Sequence, residues 1–211
     1  VPTLSVAGIF EKLKTCISSD VTITDGASVK GSVHDDVKRI YGHFPANVVL
    51  GHPIAGSEKS GVEASNPTLY DNHRVILTPQ TENTAEHLAR VNHLWESVGA
   101  DVLEMSVHNH DEILAATSHL PHVIAFSLVD TLANDSQNEN IFRYAAGGFK
   151  DFTRIASSDA IMWRDIVLSN KKSVLDAIDL FSMNLNRLKA AIEQDDATQI
   201  TGVFTRAKVA R

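Results

Sequence analysis

Apolar positions in the first half of the chain switch between two rhythms, one helical and one strand-like. Residues 4–17 (LSVAGIFEKLKTCI) put Val6, Ile9, Phe10, Leu13 and Ile17 on one face at helical spacing. Residues 21–24 (VTIT) are short and β-branched, which predicts a buried strand ending at Asp25. A helix is expected from Ser28 to Ile40, then a short apolar run from Asn47 to Leu50. Arg74 to Leu77 (RVIL) reads as a third strand, stopped by Thr78-Pro79. Residues 84–98 carry Leu88, Val91, Leu94, Trp95 and Val98 on one helical face, and Gly99 stands where helices end. Asp101 to Met105 is a fourth strand. Strands alternating with helices predict a mostly parallel α/β sheet.

The rhythm changes near His108, after which the pattern is helical only. Residues 111–133 form one long helical pattern with Pro121 inside it, where proline should kink or interrupt the helix. Residues 136–153 read as a glycine-containing loop. Residues 172–193 carry Leu175, Ile178, Phe181, Leu185, Leu188 and Ile192 in steps of three and four. A narrow stripe kept up that long suits a helix packed lengthwise on another, and the partner could belong to a second subunit.

Composition narrows the function. The chain has 211 residues, enough for one large domain or two small ones. A net charge of -7 argues against a general nucleic-acid surface, though not against a local positive pocket for an anionic substrate. The single cysteine, Cys16, excludes an intrachain disulfide and a cysteine-based zinc site. Apolar runs such as Val123 to Leu128 are too short to span a bilayer, and no signal-peptide pattern opens the chain. The compartment expected is reducing, most simply the cytoplasm. The chain begins at Val1-Pro2, which reads like the end of a strand, so a preceding segment is expected.

Four segments concentrate polar residues beyond what a core requires. Asp25 to Gly31 (DGASVKG) follows a strand and precedes a helix, a position where α/β sheets bind ligands; Ser28 as a plain helix N-cap is the alternative. Gly51 to Gly61 (GHPIAGSEKSG) holds His52 in a glycine- and proline-defined path, suited to a general base or to a structural histidine in a turn. Ser118 to His122 (SHLPH) puts His119 and His122 on one helical side; with His108, His110 and Asp111 they could suggest a metal site, but no carboxylate stands at helical ligand spacing beside the pair, which favours core or substrate-contacting histidines. Gly147 to Arg154 (GGFKDFTR), with Trp163-Arg164-Asp165 after it, offers a guanidinium fork that matches a carboxylate or makes a surface ion pair.

Together the words HPIAG-SEKSG (52–61), SHLPH (118–122), GGFKDFTR (147–154) and IMWRDI (161–166) resemble the prephenate and arogenate dehydrogenase family, in order and spacing along nearly the whole chain. The resemblance implies a partial Rossmann-like α/β unit over residues 1–107, followed by an all-helical substrate-binding and dimerisation domain over 108–211. It implies oxidation of prephenate by NAD, or NADP, with decarboxylation to 4-hydroxyphenylpyruvate. By similarity His52 is the base that accepts the substrate hydroxyl's hydrogen bond, Ser28 shares that hydroxyl beside the nicotinamide, and Arg154 holds a carboxylate. His122 shapes the pocket with Ser118 and His119 nearby, and Ser57 and Glu58 orient and gate it. Gly147, Lys150, Asp151 and Trp163 match motif positions in the helical part. Pro2 joins Ser28 against the cofactor, and no metal is implied.

Two departures stand out. Ala27 occupies a position often glycine in that family. The dinucleotide fingerprint G-x-G-x-x-G is absent, and the opening Val1-Pro2 would match the end of a fourth strand, so two βαβ units of roughly 70–90 residues are expected upstream. Without them the chain is expected to bind dinucleotide poorly. Other readings are an arogenate or dual cyclohexadienyl dehydrogenase, a metal-dependent hydrolase using the histidines, and a non-catalytic dimerisation or regulatory module. A homodimer through the helical part is expected.

Overall fold

The computed structural model describes residues 3–56, 61–134 and 141–211. Its α/β part holds a four-stranded sheet in the order β1 (Ile23–Thr24), β2 (Val48–Pro53), β3 (Arg74–Thr78), β4 (Asp101–Glu104). β1 pairs parallel with β2, and β3 with β4, but β2 and β3 are antiparallel, with His52 opposite Ile76. The sheet is therefore mixed. An antiparallel neighbour needs no helical crossover, and the connection from β2 to β3 holds, among its described residues, only the 3₁₀ turn Val62–Ala64.

Each strand is built by what covers it. Helices α1 (Val6–Cys16) and α2 (Gly31–Tyr41) pack Val6, Phe10, Val33 and Val37 against Ile23, Val48 and Leu50. Helix α3 (Ala85–Ser97) covers the other face, bringing Val91 onto Val49, Val75 and Leu77. β2 thus alternates sides and is buried on both, which is why its apolar run is unbroken. Full burial of each such side chain contributes about 1.5–3 kcal/mol. β2 also runs on past the expected Asn47–Leu50 stretch, so His52 lies inside a strand and not in the turn after it.

From residue 107 the described elements are all helical. A continuous rod runs through α4 (Val107–Leu114), a π-helical turn (Ala115–His119) and α5 (Leu120–Ala133). Pro121 explains the turn: it has no N–H to give the carbonyl four residues back, so the register shifts just before it. By length and composition this 27-residue rod, with a mean hydropathy of 1.3 in its most apolar window, is apolar enough to cross a membrane, contrary to the expectation from its short apolar runs. Here its first turns instead carry His110 and Asp111 buried against the α/β part. Residues 147–153, expected as loop, form α6 (Gly147–Thr153). Paired glycines disguised it, since glycine is a poor helix former; here they occupy its first turn. A 3₁₀ turn (Arg154–Ser157), α7 (Ala160–Ser169), α8 (Lys171–Glu193) and α9 (Ala197–Ala210) complete the chain. Along α8, Leu175, Leu180, Leu185 and Ile192 remain exposed.

Candidate active site

Two short buried polar chains meet where the α/β part touches the rod. The first is an ion pair. Lys30, wholly buried, donates its ammonium to the Asp25 carboxylate and to the Gly51 carbonyl at 2.6 Å. Asp25 also accepts from the backbone N–H groups of Ala27 at 2.9 Å and Gly51 at 3.2 Å. Burial pulls the lysine pKa down, against the attraction of Asp25. This pair ties the β1–α2 loop to the strand residue preceding His52.

The second chain starts at His52. Its Nδ1 lies 2.8 Å from His110 Nε2, and His110 Nδ1 lies 2.7 Å from Asp111 Oδ1. Asp111 Oδ1 also accepts from the N–H of Lys30 at 2.9 Å, and Oδ2 from the N–H of Gly31 at 2.8 Å. The carboxylate thus caps α2 from a different helix, the role Ser28 was an alternative for; the helix starts at Gly31 and Ser28 stays in the loop. A Cβ at position 31 would sit 2.6 Å from Asp111 Oδ2, so glycine is required there. Burial raises the Asp111 pKa, but the hydrogen bonds from His110 and the two N–H groups outweigh it, and the net direction is down.

His52 lines a cavity of about 480 Å³ together with Ile54, Leu114, Thr117, Ser118, His122, Arg154, Ser158 and Trp163. That volume suits a small organic ligand. His122 gives its Nδ1–H to the Ser118 carbonyl at 2.9 Å, a carbonyl in the π-helical turn, and stacks on Trp163 with ring centroids 3.4 Å apart. Arg154 opens the 3₁₀ turn after α6 and lines the cavity from an exposed position.

Of the expected site residues, His52, Ser118, His122, Arg154 and Trp163 converge on this cavity. His119 does not line it: it is 1% exposed and its Nδ1 takes a hydrogen bond from Asn170 at 3.2 Å. Asn170 also donates to the Asp111 carbonyl at 2.8 Å, so His119 belongs to the joint between the rod and α8. Ser28 sits half-buried in the β1–α2 loop, and Gly147, Lys150 and Asp151 are exposed on α6; all four lie outside the lining. Pro2, Ser57 and Glu58 lie outside the described residues. The histidines weighed as metal ligands do not gather: His108 faces Glu112 at 3.3 Å on the exposed side, and among the described residues no group of three His, Cys, Asp or Glu could hold an ion. Sequence reasoning missed Lys30, Asp25 and the orientation of His110 and Asp111.

Electrostatics keep these histidines neutral. Burial first, then the neighbours His110, Lys30 and His119, which oppose a further positive charge, lower His52 to about 2, and burial lowers His119 to about 4. In the unfolded chain both take up protons near the ordinary histidine value of 6.5. The unfolded state therefore binds more protons as pH falls, and stability that is whole above about 6.5 drains below it. The expected loss approaches about 1.4 kcal/mol per pH unit for each histidine. It continues to about 4 for His119 and about 2 for His52. Urea unfolding of the protein at several pH values between 7 and 5 checks this; an unchanging midpoint would contradict it.

A mixed α/β unit whose buried strand β2 delivers a neutral histidine to a cleft shared with a helical unit is the architecture of a two-domain dehydrogenase. Comparison with known proteins agrees. Residues 1–104 match the family profile described as prephenate dehydrogenase, nucleotide-binding domain, and residues 106–206 match prephenate dehydrogenase, dimerization domain. The chain is 35% identical over its full length to a cyclohexadienyl dehydrogenase of Zymomonas mobilis, covering 72% of that protein. It is 38% identical over 91% of its length to a prephenate dehydrogenase of Bacillus subtilis, of which it spans 52%. It superposes over its full length with a TM-score of 0.92, at 45% identity, on 73% of a prephenate dehydrogenase from A. aeolicus solved with hydroxyphenyl propionate and NAD+. The chain belongs to the prephenate dehydrogenase family, a family of dehydrogenases in tyrosine biosynthesis.

Proposed function

We propose that the full-length protein oxidises prephenate with NAD and releases carbon dioxide to give 4-hydroxyphenylpyruvate. The observation that carries this reading is a buried, neutral His52 sharing one cavity with Arg154, a base and an anion clamp on one small-molecule site. The C4 hydroxyl proton moves toward His52 as C4 gives up its hydride, for which a bound nicotinamide would be the acceptor. The bond from C1 to the carboxylate breaks, and its electron pair passes through the ring to the C4 oxygen. That oxygen takes back the proton and ends as the phenol. Loss of carbon dioxide makes the ring aromatic, so the reaction runs downhill. Arg154 holds a substrate carboxylate, and His122 on its Trp163 platform shapes the wall.

The β1–α2 loop fits the nicotinamide: it lies at the carboxyl end of a parallel strand, with Gly26 exposed and Ser28 half-buried beside it. Bound there, the cofactor supplies the hydride acceptor. Residues 1–107 are the later part of the nucleotide-binding domain in this reading, and 108–211 the helical domain. The exposed stripe on α8 supports a homodimer through that domain, and a biosynthetic role supports a cytoplasmic location.

The test is NADH formation by the full-length protein offered prephenate and arogenate in parallel. Turnover of prephenate is the expected result, and the ratio of the two rates assigns the preference for a keto or an amino side chain. No turnover of either, from folded protein that binds NAD, would sink the proposal.

A further inference from the structure

His52 can act as a base only through a nitrogen that carries a lone pair toward the substrate. Which nitrogen that is depends on what its other nitrogen touches, and here the answer runs through His110 to Asp111. The Asp111 carboxylate accepts from two backbone N–H groups and is ionised, so it can only accept from His110 Nδ1. A neutral His110 then has its lone pair on Nε2, 2.8 Å from His52 Nδ1. His52 must donate there, which leaves its own Nε2 unprotonated. A histidine side chain free in water favours the opposite, Nε2–H tautomer, so the neighbours must impose this one.

We propose that His110 and Asp111 are positioning residues that hold His52 in the Nδ1–H tautomer, so that its Nε2 is the base toward the cavity. The relay also has a fixed foot. His110 is wholly buried and Asp111 is nearly so, and the carboxylate that orients the base also pins the start of α2 and the loop carrying Ser28. One carboxylate thereby sets the geometry of the base and of the loop proposed to face the nicotinamide. The three residues come from β2 and α4, on opposite sides of the junction between the α/β and helical parts, so the base is oriented only when the two parts are docked.

This inference rests on His52 being the base, and its test separates the two claims. The first measurement involves no turnover: long-range ¹H–¹⁵N correlation spectra of histidine-labelled full-length protein, with His52 assigned by its loss in His52→Asn. His52 is expected to show a protonated Nδ1 and an unprotonated Nε2. In His110→Phe, which keeps a ring but no polar nitrogen, His52 is expected to revert to Nε2–H. An Nε2–H His52 in the unsubstituted protein, or a Nδ1–H His52 that survives His110→Phe, overturns the proposal even if prephenate is turned over.

The second measurement is kinetic. His110→Phe is expected to lower kcat by about a hundredfold or more with little change in KM. His110→Gln is expected to recover to within about tenfold of the parent, because one end of its amide donates to Asp111 and the other accepts from His52, in the same direction as the imidazole. Equal losses in both variants would mean that filling the site matters and bond direction does not, which also overturns the proposal. Should His110→Phe fail to fold, the spectrum of the unsubstituted protein and the Gln variant still decide. Absence of turnover in the unsubstituted protein, with the expected tautomer seen, would instead count against the base assignment.

Discussion

Lys30→Met is expected to lower the free energy of unfolding by about 3–5 kcal/mol, the range for breaking one partner out of a buried ion pair. The ammonium is 0% exposed and satisfies two acceptors at once, the Asp25 carboxylate and the Gly51 carbonyl. Methionine keeps the length and apolar character of the stem, so little cavity opens and the loss reports the charge. What remains is a carboxylate held only by the N–H groups of Ala27 and Gly51, and a Gly51 carbonyl without its partner. Adding Asp25→Asn to Lys30→Met is expected to return part of the stability, since the unpaired charge is then gone. Urea titrations of the parent, single and double variants measure both steps. A Lys30→Met protein as stable as the parent would show that the attraction merely balances desolvation here, as it does for some buried pairs. The site would feel the substitution too, because Gly51 immediately precedes His52 in β2.

The α/β-then-helical order was legible because local periodicity carries it: α3 and α8 need only their own spacing, and Gly99, at a φ of 85°, marks a true helix end. Strand direction was less legible. The antiparallel pairing of β2 and β3 goes with a connection whose described residues hold no α-helix, whereas the alternation of strands and helices elsewhere argued for parallel pairing. Helix α6 was hidden because glycine propensity speaks against a helix that tertiary packing nevertheless supports. The site divides the same way. Arg154, His122 and Trp163 were found through motif resemblance, and the cavity brings them together with His52. His110 and Asp111 were seen, but local spacing suggested metal ligands. Their real partners are 58 and 81 residues away along the chain, a separation that no sequence period encodes. His119 illustrates the converse: a word of the family pattern can mark the joint that holds a site, since its ring is sealed behind the wall by Asn170.

His52→Asn is expected to reduce kcat for prephenate in the full-length protein by about 10²–10⁴-fold, the usual worth of a well-placed general base. Asparagine is chosen because its amide N–H can replace the bond from His52 Nδ1 to His110, so the buried relay keeps a donor and Asp111 keeps its place on α2. KM is expected to change little, because the substrate carboxylate is held by Arg154 and not by the base. The loss should thus fall on kcat and kcat/KM together, the signature of an interaction made in the transition state. A parallel fall in affinity would instead indicate that the smaller side chain had collapsed the cavity wall. The same variant carries a stability signature of opposite sign. Since His52 is held neutral down to about 2 and takes up a proton near 6.5 once unfolded, removing it should make unfolding less sensitive to acid. A slower enzyme that resists acid better than its parent is the combined result expected, read from steady-state kinetics and from urea midpoints at pH 7 and 5. Retention of kcat within tenfold would show that the hydroxyl proton leaves by another route and that His52 is a buried structural histidine at the cavity wall.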